Sequence, residues 1–262
     1  MNFDKNLWER SISLMSTDKL PSWPCPTCGS GKLVFKQETL HFQESARQFD
    51  EGEFRKEDFE ENIILGIITA LAKATSRLFI RQSRFNAFLI CNNSACHEAV
   101  TVSGRAEVPV ALQKDNRIKT TPMILPEYFS PSLKIFPLPN DYPGPIREEL
   151  ARSFTIFFAD SSAAGNKLRT AIERLMDELK IGDSSEKLHR RLEQFSKKFP
   201  DLGEMTMEIK WLGNEASHCS ALSKSKILDG YQIFEYVLKQ LFTEPAKREK
   251  IKRLSKGLKP TP

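Results

Sequence analysis

Two close pairs of cysteines constrain this chain more than any other feature. Cys25 and Cys28 are spaced x2 inside Trp23-Pro-Cys-Pro-Thr-Cys-Gly-Ser-Gly-Lys-Leu, and Cys91 and Cys96 are spaced x4 inside Leu89-Ile-Cys-Asn-Asn-Ser-Ala-Cys-His-Glu. Proline and glycine around the first pair favour a tight turn that presents both sulfurs to one centre. The second pair brackets a turn between two β-prone runs. Two such knuckles offer the four thiolates that a tetrahedral zinc takes, so Cys25, Cys28, Cys91 and Cys96 are the expected metal ligands. Four protein ligands leave no open position, which makes that zinc structural rather than catalytic. Two bland readings compete with it: four buried, inert thiols, or His97 in place of one thiolate. Cys219 is left over.

Between the pairs, Ile64, Ile67, Ile68, Leu71, Ala74 and Leu78 recur at three and four residues. That period predicts an amphipathic helix over 58–79, inserted into the zinc domain. Leu7, Trp8, Ile12, Leu14 and Met15 predict a short N-terminal helix packed on the same domain. The start, Met1-Asn-Phe-Asp-Lys-Asn, has neither the basic flank nor the apolar core of a secretory signal. The longest apolar run, 63–72, is shorter than the roughly 20 residues a span needs, so no membrane partner and a cytoplasmic location are expected. In a reducing compartment paired cysteines point to metal rather than disulfide.

The chain's 262 residues suit two domains. The expected class is α+β, with a zinc-ribbon-like β domain over 1–104 and a proline-rich extended connector over 105–144. The β-prone pieces 122–129 and 133–136 of the connector are expected to pack on one of the domains. An antiparallel helical bundle follows over 145–243, opened by Pro145. Its clearest helix carries Leu168, Ala171, Ile172, Leu175, Met176 and Leu179 as one apolar stripe, with Gly182 where a C-cap glycine belongs. Asp183 and Glu186 resemble a capping box opening the next helix.

The net charge of +5 is modest, but the excess gathers in a tail over 244–262 after the helix breaker Pro245. Lys247, Arg248, Lys250, Lys252 and Arg253 are its candidate nucleic-acid-binding residues, and a solvated, frayed terminus is the competing reading. No glycine-rich phosphate loop, paired-carboxylate metal site or Ser-His-Asp arrangement supports another enzyme class.

In Ile209-Lys-Trp-Leu-Gly-Asn-Glu-Ala-Ser-His, Asn214 and His218 stand four apart and share one helix face. Together with Ala171-Ile-Glu-Arg-Leu-Met-Asp-Glu-Leu and Leu188-His-Arg-Arg-Leu, this segment resembles the bacterial domain-of-unknown-function family 4145 over about residues 140–243. Members of that family often carry an N-terminal zinc knuckle, and similar domains occur fused to restriction and phage-defence enzymes. The family looks like a branch of the HEPN superfamily, helical bundles whose active members are dimeric, metal-independent ribonucleases. The resemblance therefore implies RNA or a defence-system protein as partner, and a homodimer through the helical domain. It also implies catalytic roles for Asn214 and His218: His moves the proton of a ribose 2′-hydroxyl, and the motif arginine neutralises the phosphorane. Gly213 stands where that arginine belongs, and Lys210, Arg169 and Arg174 are the cations considered as stand-ins. The departure favours a non-catalytic adaptor module of a defence or nucleic-acid-processing system, with a HEPN-type endoribonuclease or toxin as the alternative.

Overall fold

The structure, a computed structural model, describes residues 3–44, 80–109, 121–218 and 222–257, with 80, 81, 109, 213–218 and 255–257 described by their backbone alone. The inserted helix expected over 58–79 and Cys219 lie outside the described residues. Two compact units divide the chain: Arg10–Leu133, and Met1–Glu9 together with Lys134–Pro262.

The first unit is an antiparallel sheet of β1 (Met15–Ser16), β2 (Leu33–Glu44), β3 (Ile80–Cys91), β4 (Ala99–Pro109) and β5 (Met123–Ser130), in the order β1-β5-β4-β3-β2. β3 shows why: Phe85, Ala87, Leu89 and Cys91 are buried while Arg84, Asn86 and Phe88 face outward, the period of two that a half-buried strand requires. Val100, Val102 and Ala106 of β4 extend the same buried face. On the other face Glu127 of β5 joins its neighbours, 2.7 Å from Arg84 of β3 and 2.7 Å from Arg105 of β4.

β5 corrects one expectation. The proline-rich stretch expected as a spacer over 105–144 is none in its described part: residues 105–109 end β4, and residues 123–130 are a full strand of the sheet. Pro126 is tolerated because the ladder slips there, between Ser103 and Gly104. Gly104 is needed at that slip, since a Cβ would lie 2.1 Å from the Leu125 carbonyl oxygen. The unit ends at Leu133 rather than at residue 104.

The second unit contains α2 (Gly144–Ile156), α3 (Ser161–Glu178), α4 (Leu188–Lys198), α5 (Pro200–His218), α6 (Lys224–Leu238) and α7 (Glu244–Gly257). Pro145 occupies the first turn of α2. Asp160 caps α3 by accepting a hydrogen bond from the Ala163 N–H at 2.8 Å. The expected stripe of α3 is buried from Leu168 to Met176. Its core is aromatic. Phe136, Phe154, Phe157 and Tyr231 meet edge to face, with Phe136 and Phe154 5.0 Å apart and Phe154 and Tyr231 5.1 Å apart. The Tyr231 hydroxyl is hydrogen-bonded to Ser153 at 2.6 Å, so the buried phenol is satisfied.

The N-terminal helix α1 (Lys5–Ser11) forms as expected, but residues up to Glu9 belong to the helical unit and not to the sheet. The large indole of Trp8 is what draws it there, buried beside Phe158. The Lys5 ammonium adds an ion pair with Asp229 at 2.5 Å.

Three local expectations shift. At the end of α3 the left-handed residue that closes the helix is Lys180, with Ile181 N–H donating to the Met176 carbonyl and Lys180 N–H to that of Asp177; Gly182 follows with a second positive φ. Asp183 and Glu186 do pair, through the Asp183 N–H and the Glu186 carboxylate at 3.1 Å, but in a turn ahead of α4, which starts at Leu188. Pro245 does not end the helical structure. A π-helical turn over Lys239–Thr243 widens the ladder just before it, and Pro245 then sits in the first turn of α7. Among the described residues no helix is long and apolar enough to cross a membrane.

Candidate metal centre

The four cysteines expected as ligands converge, with their sulfurs all within 4.8 Å of one another. The first knuckle is shaped by a small hairpin in which Pro24 pairs with Lys32. Within it the Cys25 N–H donates to the Gly31 carbonyl at 2.9 Å, and the Gly29 N–H to the Cys25 carbonyl at 3.0 Å. Gly29 adopts φ +67, which its lack of a Cβ permits. Trp23 anchors the hairpin's base: its indole N–H donates to the Ser11 hydroxyl at 2.8 Å, and its ring meets Phe129 edge-on.

The second knuckle begins at the last residue of β3, Cys91, and turns through Asn93. The Asn93 side-chain oxygen accepts from the Ala95 N–H, its carbonyl accepts from Cys96 and His97, and His97 takes φ +50. The four-sulfur group includes no histidine, so His97 stands outside it. Asn92 ties the knuckles together, donating its N–H to the Lys32 carbonyl at 2.9 Å and accepting from the Lys32 N–H at 2.8 Å.

The sulfur geometry fits a tetrahedral ion and excludes a disulfide. Cys25 and Cys96 sulfurs are 3.8 Å apart, and those of Cys28 and Cys91 3.7 Å. A disulfide needs about 2.05 Å, whereas a tetrahedron with metal–sulfur bonds of about 2.3 Å has edges of about 3.8 Å. Backbone amides point at the thiolates, Gly31 at Cys28 over 3.3 Å and Asn93 at Cys91 over 3.5 Å. The Gly31 N–H, with Ser30, pulls the Cys28 thiol down to about 5, while burial pushes Cys91 up to about 12. Cys91 therefore needs a cation beside it to become the thiolate that a metal binds. Gly31 is part of this site in a way the sequence did not signal: a Cβ there would lie 2.3 Å from the Cys91 sulfur.

The other sequence candidates lie in the helical unit. Asn214 and His218 are carried on α5, four residues apart along one helix. Arg174 is paired with Asp177 at 3.2 Å and Arg169 with Glu173 at 3.5 Å, whereas Lys210 has no ion pair among the described residues and feels the charge of Arg169. Lys247, Arg248, Lys250, Lys252 and Arg253 are all exposed on α7, where they are spread around the helix rather than gathered on one face. No curated protein and no solved structure matches the chain. The helical region from residue 151 to residue 256, α7 included, matches the family described as a domain of unknown function (DUF4145), which is the family its motifs resemble.

Proposed function

We propose that the chain is a non-catalytic, RNA-binding adaptor module of a defence or nucleic-acid-processing system, built on a zinc ribbon with a structural zinc and a HEPN-like bundle. The observation that carries this reading is α7. Six cations and two acids occupy its 14 residues, and Lys247, Arg248, Lys250, Lys252 and Arg253 are exposed. Two cations are engaged within the helix, Lys247 with Glu244 and Lys252 with Glu249, which leaves a strong positive excess on an ordered scaffold. Phosphate backbones are bound chiefly by such excess, through release of condensed counterions. Four thiolates that fill zinc's coordination shell support a structural and not a catalytic ion.

A second reading, a metal-independent endoribonuclease acting as a homodimer, is favoured by Asn214 and His218 at one-turn spacing on α5. Gly213 weighs against it, because one missing charged donor typically costs about 10²- to 10³-fold in rate. One experiment addresses both. Zinc-loaded protein is incubated with a mixed RNA pool, with and without chelator, and binding and cleavage are followed together. The adaptor reading expects salt-sensitive binding, intact RNA, and loss of most affinity when Arg248, Lys250 and Arg253 become glutamine. RNA cleavage that vanishes in His218→Ala would replace it with the ribonuclease.

A further inference from the structure

The α3–α5 seam of the helical unit contains a cation with no anion. Lys210 is only 7% exposed, yet among the described residues its ammonium has no hydrogen bond or ion pair. Its one close partner is the Trp211 ring, 3.8 Å from Nζ to centroid. Arg169 of α3 approaches from across the seam and adds a second positive charge; burial first, and Arg169 next, hold the Lys210 ammonium below its ordinary range. Arg169 is itself incompletely matched: its guanidinium reaches Glu173 at 3.5 Å, and its buried Nε has no hydrogen-bond partner. The two cations repel, and Lys210, the buried one, also forfeits hydration. An anion seated between them would relieve both costs.

Trp211 specifies what carries that anion. Of three tryptophans, Trp8 and Trp23 are buried, whereas Trp211 is 52% exposed beside the buried ammonium. His189 lies 6.2 Å from it, ring centre to ring centre, and bounds one side. An exposed indole next to a cation pair matches the alternation of base and phosphate along an unpaired strand, where bases stack on aromatic rings and phosphates meet cations.

We propose that Lys210 and Arg169 hold one backbone phosphate of a single-stranded nucleic acid while Trp211 stacks on a neighbouring base. The inference deepens the nucleic-acid reading with a site separate in sequence from α7. The bundle would then grip a strand at a defined nucleotide, with α7 supplying unspecific attraction.

The test uses the full, zinc-loaded chain and a fluorescein-labelled oligouridylate. Titration quenches intrinsic tryptophan emission, because the exposed indole is the one that meets the base. Trp211→Ala weakens binding about 5- to 150-fold. Lys210→Met, which removes a buried charge and so preserves the fold, weakens binding and lowers the slope of log affinity against log salt by about one. An abasic ribose-phosphate oligomer still binds but leaves the emission unquenched, which locates the base on the indole. With Arg248, Lys250 and Arg253 changed to glutamine, affinity falls but quenching at saturation persists, so failure of the α7 reading is distinguishable from failure of this one. Unchanged affinity and salt slope in Lys210→Met would overturn the site. Displacement of the strand by millimolar inorganic phosphate at constant ionic strength would reassign it to free phosphate.

Discussion

The sheet unit gathers four thiols and the helical unit gathers two cations, and both sets repel themselves once charged. They differ in what their surroundings do about it. Around the cysteines, backbone amides from Gly31 and Asn93 already point at sulfur, and the two knuckles are the joint between the hairpins, so a counter-ion there would be part of the fold. Around Lys210 and Arg169 the helices close over an aromatic and aliphatic core that needs no ligand, so an anion there would serve binding and not the fold. A third case completes the contrast: Arg191 of α4, buried against the end of α3, is matched by Asp177 at 2.7 Å and the Ile181 carbonyl at 2.9 Å. The fold supplies counter-groups where it uses a charge for itself. The absence of one at Lys210 is informative for that reason.

The largest effect that would sharpen this contrast is metal removal. Structural zinc contributes about 10–16 kcal/mol in isolated fingers, so chelation, or Cys91→Ser, should unfold the sheet unit and expose Trp23 while the far-ultraviolet helical signal is retained. Collapse of the helices in step with the metal would break the comparison. Next comes Phe154→Ala in the aromatic core, expected to cost about 3–5 kcal/mol in denaturant unfolding of the helices. Metal content measured on the same sample should stay at one equivalent. Smaller is Gly31→Ala, where the added methyl meets the Cys91 sulfur; a penalty of about 1–3 kcal/mol should appear as faster zinc loss to a colorimetric chelator. Smallest, and opposite in sign, is Lys210→Met, expected to raise stability by about 1 kcal/mol in thermal unfolding. That gain should shrink at alkaline pH. The folded-state pKa of Lys210 is depressed, so the wild-type penalty is present at neutral pH and fades as pH rises towards the unfolded lysine value.

Much of this was legible in the sequence because it is local. Cysteine spacing marks knuckles without any knowledge of tertiary contacts, and the stripe from Leu168 to Met176 marks a helix face by its own period. What escaped is non-local or depends on backbone detail. β5 reads as a connector because Pro126 argues against a central strand, and only the slip opposite Gly104 removes the objection. Pro245 reads as a stop because nothing in sequence announces a π turn before it. Lys180, not Gly182, closes α3, since hydrogen bonds to Met176 and Asp177 outweigh the strain of a positive φ. Gly31 reads as a turn glycine, although its strictest constraint comes from Cys91, far along the chain. The Lys210–Arg169 pair belongs to two helices, and each member alone looks like an ordinary solvated charge.

The pairing of Leu33 with Cys91 places the sulfur cluster at one end of the β2–β3 hairpin and residues 45–79 at the other. The register is therefore pinned at the end remote from that long connection. Loop-closure entropy grows only logarithmically, about 0.6 kcal/mol for each doubling of length. The sulfur cluster can therefore hold the β2–β3 register at little added entropic cost, despite the long sequence separation of Glu44 and Ile80.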